Sequence, residues 1–259
     1  MNGAAGYRRY VAIGDSQTEG LWDTDGDGNL MGFADRLAAQ IDSLHPGLLY
    51  ANLAVRGRRI ADVLYDQLPV ALSMRPDLIT VCIGMNDATR PGGLFSHALA
   101  DLETVYTHLA DSGATVVTTT FPDIARIVPV GRVLDGRVRR INAVIRAATA
   151  RHGFRLVDLF GAASMIEPAT WSSDRVHGSA RGHALFAAAA AEALDLPDSD
   201  DSWAQADSTA PGPSLVSSVS SQVLWTQNML MPWVWRHMRG LPTAHGHGPR
   251  RPALAPVGN

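Results

Sequence analysis

The sequence predicts an α/β protein with a doubly wound parallel sheet, on three observations. Short apolar runs at residues 10–13, 49–52, 78–83, 115–119 and 154–159 have strand length and composition. Helical periodicities separate them, so each strand is followed by a crossover. Small polar or glycine-containing turns follow the strands, where open α/β sheets carry their chemistry. The 259 residues suit one such domain with some extra, and 46% hydrophobic residues are ample for a large core. The 22 basic residues are all arginine and balance to a net charge of −3, which gives no reason to expect nucleic acid. The start lacks an apolar signal segment, so a cytoplasmic location is the expectation.

Taken in order, Tyr10 to Ile13 is a buried strand ended by Gly14, and the turn presents Ser16 at the start of a possible helix. Asp15, Ser16 and Thr18 are also the residue types that cap helices, so this stretch alone does not separate a nucleophile from a cap. Residues 21–32 form an Asp/Gly-rich loop. Asp23, Asp25, Asp27 and Gly28 match the opening of a calcium loop, but its twelfth position holds Ala34 rather than Glu, which favours a turn bordering the site. Phe33, Leu37, Ile41 and Leu44 have helical spacing, and Pro46-Gly47 stops that helix before the second strand at 49–52.

The loop at 53–60 leads into a helix through Leu72. Gly57 lies in this loop, where an N–H could approach a ligand with no side chain in the way. The most apolar strand, 78–83, holds the one cysteine, Cys82, read as a core thiol. It ends in Gly84-Met-Asn86-Asp87, and an asparagine there can offer its amide to a developing oxyanion. A helix over 94–112 and a β-branched strand at 115–119 follow. Then come a loop at 122–134, a helix at 138–152 with an arginine-rich outer face, and the fifth strand at 154–159.

A serine nucleophile needs a base with an orienting partner. Asp174 and His177 stand three residues apart in one loop, close enough for the carboxylate to accept from one ring nitrogen and leave the other facing outward. Ser179 is then the N-cap of an alanine-rich helix over 180–194, in which His183 is read as structural.

Ser16, Gly57, Asn86 and His177, each after a different strand and in that order, make the chain resemble the SGNH or GDSL hydrolase family. The blocks are Gly14-Asp15-Ser16-Gln17, Gly57 in the second loop, Gly84-Met85-Asn86-Asp87, and Asp174-Arg175-Val176-His177. Gln17 stands where the family name has leucine, and the second block is the weakest match. The resemblance covers roughly the first three quarters of the chain. It implies a three-layer α/β/α fold with a five-stranded parallel sheet of flavodoxin-like order. The implied activity is ester hydrolysis without metal or cofactor, on a small-molecule ester. Ser16, Asp174 and His177 would form the triad, and Ser16, Gly57 and Asn86 the oxyanion hole. Carbohydrate acetyl esters, lysophospholipids and thioesters fit the same machinery. A non-catalytic binding or membrane-surface protein is the rival from another class, although no catalytic residue is missing.

The domain is expected to span 1–196, followed by a polar linker at 197–214 and a disordered Pro/Gly/Arg-rich tail at 242–259. Between them, 215–241 is a tryptophan-rich stretch too interrupted to span a membrane. It reads as a helix docked on the domain in preference to one lying at a membrane surface.

Overall fold

The structure, a computed structural model, describes residues 6–128, 131–207 and 248–258. Its sheet has the strands β1 (Arg9–Gly14), β2 (Leu49–Asn52), β3 (Leu78–Cys82), β4 (Thr115–Thr119), β5 (Arg155–Val157) and β6 (Arg251–Pro256), in the order β5-β4-β3-β1-β2-β6. β1 to β5 are parallel. Strands β1, β3 and β4 are almost entirely buried, which explains the apolar runs of β1 and β3; in β4 the buried Thr118 hydroxyl is bonded to Tyr106 at 2.7 Å. The helices flanking the sheet include α2 (Phe33–Leu44), α5 (Gly92–Asp111), α7 (Gly131–His152) and α8 (Ala180–Ala193); the shorter α1 (Ser16–Glu19), α3 (Ile60–Asp62), α4 (Leu68–Ser73) and α6 (Ile124–Ile127) lie at turns or bends between strands. The result is the expected α/β architecture, with the turns after β1, β3 and β4 at one edge of the sheet. No helix among the described residues is long and apolar enough to cross a membrane.

The sheet has six strands where five were expected, because part of the tail at 242–259 is ordered. β6 runs antiparallel along β2, with Tyr50 opposite Ala255 and Leu49 opposite Pro256. Pro252 and Pro256 argue against a central strand but are tolerated at an edge, where one side of the strand needs no N–H donors. Arg250 anchors the entry to β6 by pairing with Asp35 at 2.7 Å, and Arg251 lies over the Tyr50 ring at 5.2 Å.

The expected linker at 197–214 also begins differently. Residues Asp201–Ala204 form a 3₁₀ turn that buries Trp203, whose indole N–H donates to Glu192 at 2.6 Å. Arg181 then pairs with Asp207 at 2.8 Å, so the packed domain extends to residue 207 rather than 196. The tryptophan-rich stretch at 215–241 lies outside the described residues.

Two other boundaries shift for local reasons. The expected loop at 122–134 contains α6, because the Asp123 carboxylate accepts from the Ala125 N–H and caps a helical turn, and α7 starts at Gly131. The expected continuous helix from Ile60 is interrupted between α3 and α4 by a π-turn at Val63–Gln67. Pro69 has no N–H to give the usual bond, and its ring would crowd the carbonyl four residues back. The widened turn, in which the Leu68 N–H reaches the Val63 carbonyl, accommodates it.

Candidate active site

β1 ends in Gly14, whose φ of 149° belongs to glycine; a Cβ there would sit 2.3 Å from the Cys82 carbonyl and 2.6 Å from Thr18 Oγ1. The sharp exit turns the chain into α1. Asp15 caps it, its carboxylate accepting from the Gln17 N–H at 3.2 Å, and Ser16 is the first helical residue. Capping and presentation of a hydroxyl to a cavity at the sheet edge thus occur in the same turn. From the π-turn, buried Gln67 accepts from the Gly14 N–H at 2.8 Å and donates to the Gly14 carbonyl at 2.9 Å, fixing the exit of β1 from both sides.

Across the cleft, Trp171 and Gly178 pair to close a tight loop. Arg175 adopts a left-handed conformation in it, with φ of 53°. Inside the loop, Asp174 Oδ1 accepts from Ser172 Oγ at 2.6 Å, the Val176 N–H at 2.9 Å and the His177 N–H at 3.0 Å. Oδ2 is thereby aimed at His177 Nδ1, 2.7 Å away. Burial pushes the Asp174 carboxyl upward, yet hydrogen bonding and the charge of His177 outweigh it and hold the group well below the usual carboxylate range. An ionised carboxylate on Nδ1 leaves Nε2 able to accept, and Ser16 Oγ lies 2.8 Å from it. The loop is tied to the serine turn by Gln17, which donates to the Val176 carbonyl and accepts from the Gly178 N–H, both at 3.2 Å.

Asn86 stands at the exit of β3, its amide donating to the Arg58 carbonyl at 2.9 Å and Asp15 Oδ2 at 3.3 Å. Burial pushes the Asp15 carboxyl up to about 7. Ser16, Asn86, Asp174 and His177 line one cavity of about 210 Å³. Gly57, with φ of 76°, sits on the neighbouring turn and is not among the residues lining that cavity. Among the described residues the N–H groups of Ser16 and Gly57 donate to no other group. The arrangement can withdraw a proton from Ser16 and offer an amide at the same cavity.

Three supporting residues were not singled out from the sequence. Glu19, buried in α1, accepts from the Arg56 N–H at 2.6 Å and pairs with its guanidinium at 2.7 Å, clamping the turn that carries Gly57. Asp87 accepts from the Ile60 N–H at 3.0 Å and links the Asn86 turn to α3. Gln67 is the third. Each bridges segments distant in the chain, so short-range spacing carries no sign of them; the only hint is a polar side chain inside or beside a block.

Other singled-out residues have structural surroundings. His183 is fully buried, accepting from the Phe33 N–H at 3.3 Å and donating to the Leu21 carbonyl at 3.2 Å. The Cys82 thiol is buried and pushed up to about 12. In the Asp-rich loop, Asp25 accepts from the N–H groups of Asp27 and Asn29, and Asp23 is paired with Arg36 at 2.8 Å. Among the described residues no group of three or more metal-ligating side chains comes together.

Residues 12–185 match the profile of the GDSL-like lipase/acylhydrolase family. Comparison with curated proteins finds no match. Among solved structures, the chain is similar to LAE5, an alpha/beta hydrolase from the metagenome of Lake Arreo, Spain, at 22% identity and a TM-score of 0.60, covering 73% of this chain and 95% of that one. It is also similar to Axe2, an acetylxylan esterase from Geobacillus stearothermophilus, at 17% identity and a TM-score of 0.60, covering 77% and 97%. For TesA the values are 18%, 0.58, 72% and 98%. At these identities the likeness to solved structures is one of fold.

Proposed function

The chain belongs to the GDSL-like lipase/acylhydrolase family and is an ester hydrolase, and we propose that it cleaves carboxylic esters through an acyl-enzyme on Ser16. The observation that carries this reading is the continuous chain of contacts from Asp174 Oδ2 to His177 Nδ1, 2.7 Å, and from His177 Nε2 to Ser16 Oγ, 2.8 Å, at a cavity also lined by Asn86. His177 takes the Ser16 proton as Oγ attacks the ester carbonyl, and Asp174 stabilises the resulting imidazolium. The tetrahedral oxyanion is held by the Asn86 amide and the Ser16 N–H, and the Gly57 N–H on the adjoining turn, off the cavity wall, is the third donor of the set. His177 then passes its proton to the leaving alkoxide, the alcohol departs, and water enters. In the second half, His177 removes a proton from water, the hydroxide adds to the acyl carbon, and Ser16 leaves with the proton returned. None of these steps requires a metal or cofactor.

Because Asn86 already bonds the Arg58 carbonyl and Asp15, it must exchange one of those partners for the oxyanion. Its contribution should therefore be felt in the transition state more than in substrate binding. Steady-state kinetics on a soluble phenyl ester test both halves of the proposal. Ser16→Ala should lose several powers of ten in kcat while keeping the fold. Asn86→Ala should lose about a hundredfold or more in kcat with little change in KM. Undiminished turnover in the folded Ser16→Ala protein would sink the reading, and a rise in KM alone for Asn86→Ala would make it a substrate-binding residue.

A further inference from the structure

The cavity above Ser16 is unequal in its chemistry. Beyond the serine and the Asn86 amide its wall is built by Met85, Phe121, Ile124, Ile127, Val128 and Leu134, contributed by the exits of β3 and β4, by α6 with the residue after it, and by the start of α7. Ile124, Ile127 and Leu134 are only partly buried, so their apolar surface remains open to whatever enters. The polar side chains beside them have partners: Thr89 donates to the Asn86 carbonyl, and Gln17 bridges Val176 and Gly178. A sugar bearing several hydroxyls needs several hydrogen-bonding groups to replace its water, and these two are committed. An alkyl chain needs none.

We propose that this cavity is an acyl pocket selecting esters of unbranched apolar acids of about six to eight carbons over acetate, an inference that rests on the Ser16 esterase reading. The 210 Å³ of the whole cavity, catalytic side and rim included, sets the ceiling on size: it holds on the order of seven water-sized groups at about 30 Å³ each, so a longer acyl chain cannot be accommodated. The acyl half is assigned to the apolar wall because it is the part that stays on the protein between the two half-reactions and gains from apolar contact there. The alcohol leaves after the first, by the rim where Arg175 and exposed Val176 stand. Ile127 and Leu134 are the positions at which chain length is tested, since both line the cavity and neither belongs to the proton-transfer machinery.

The experiment measures kcat/KM of the full-length protein on p-nitrophenyl acetate, butyrate, hexanoate, octanoate and dodecanoate, and on acetates of short and long alcohols. kcat/KM should rise about fourfold per methylene, the value of burying one CH₂, until the pocket is filled near hexanoate to octanoate, and fall at dodecanoate. Lengthening the alcohol of an acetate should change it far less. Ile127→Trp and Leu134→Trp fill the wall from two separate elements, and in either the octanoate-to-acetate ratio should fall at least tenfold. Ser16-dependent hydrolysis that is as fast on acetate as on octanoate overturns the inference and leaves the esterase reading intact. So does an unchanged ratio in both folded tryptophan variants, or a rate that follows alcohol length instead of acyl length. Hydrolysis that persists in Ser16→Ala overturns the esterase reading and the inference with it.

Discussion

Gln67 and His183 are buried polar side chains, each bonded to backbone groups distant in the chain. Gln67 satisfies both backbone groups of Gly14, 53 residues away, and thereby sets the angle at which the chain enters the Ser16 turn. The meeting of Ser16, Asn86 and His177 at one cavity was legible because each sits in a short block directly after a strand or before a helix. Gln67, Glu19 and Asp87 were not, because their partners are settled only by packing. His183 was legible as structural, and its burial pushes the ring down to about 4 from the ordinary 6.5. The unfolded chain therefore takes up a proton near pH 6.5 that the native one refuses until near pH 4, so this residue's contribution to stability is lost as pH falls through that window. Asp15 acts with opposite sign: its carboxyl is raised to about 7, so the native state gains the proton first and the contribution is lost as pH rises from the ordinary carboxylate range to 7. Comparing variants cancels Asp15. Urea unfolding of wild type and His183→Asn at several pH values should show a wild-type advantage that shrinks by about 3 kcal/mol between pH 7.5 and 4. An advantage that stays constant with pH would contradict a neutral buried ring.

Helix α2 and strands β2 and β4 were legible with their observed bounds, since apolar spacing or β-branched runs stop at clear breakers such as Pro46-Gly47. The interruption after α3 was not, because a proline at position 69 signals an end to a helix and the fold answers it with a π-turn instead. Strand β6 was hidden for a different reason: two prolines in six residues read as a loop, and the strand exists only because β2 offers an open edge. Covering that edge also protects the molecule, as an exposed strand is a template for pairing with another chain. Deleting residues 250–259 removes the Arg250–Asp35 pair and the Arg251–Tyr50 stacking together with the strand. The truncated protein should melt several degrees lower, as expected for a loss of about 2 kcal/mol in a domain of this size. It should also self-associate with increasing concentration in light scattering. An unchanged melting point and a monodisperse truncation would mean that β6 is a passenger on the sheet.

At the scale of the molecule, the doubly wound arrangement gathers residues far apart in sequence onto one rim. Ser16 follows β1, Asn86 follows β3, the apolar wall follows β4, and Asp174 and His177 come from the loop before α8, so no single segment holds the site. The parallel order was legible because alternating strands and helices permit few right-handed topologies. The extent of the domain was not, because the turn burying Trp203 and the β6 edge lie in polar or proline-rich stretches whose composition resembles linker and tail. On the proposed reading, this shared rim lets one serine, made nucleophilic by His177, carry the acyl group. Reaction of the full-length protein with a fluorophosphonate, followed by intact-mass measurement and peptide mapping, identifies that serine. A single adduct on Ser16 is expected, formed in wild type and abolished in Ser16→Ala. An adduct on another residue, or none in a protein that still hydrolyses esters, would contradict that reading.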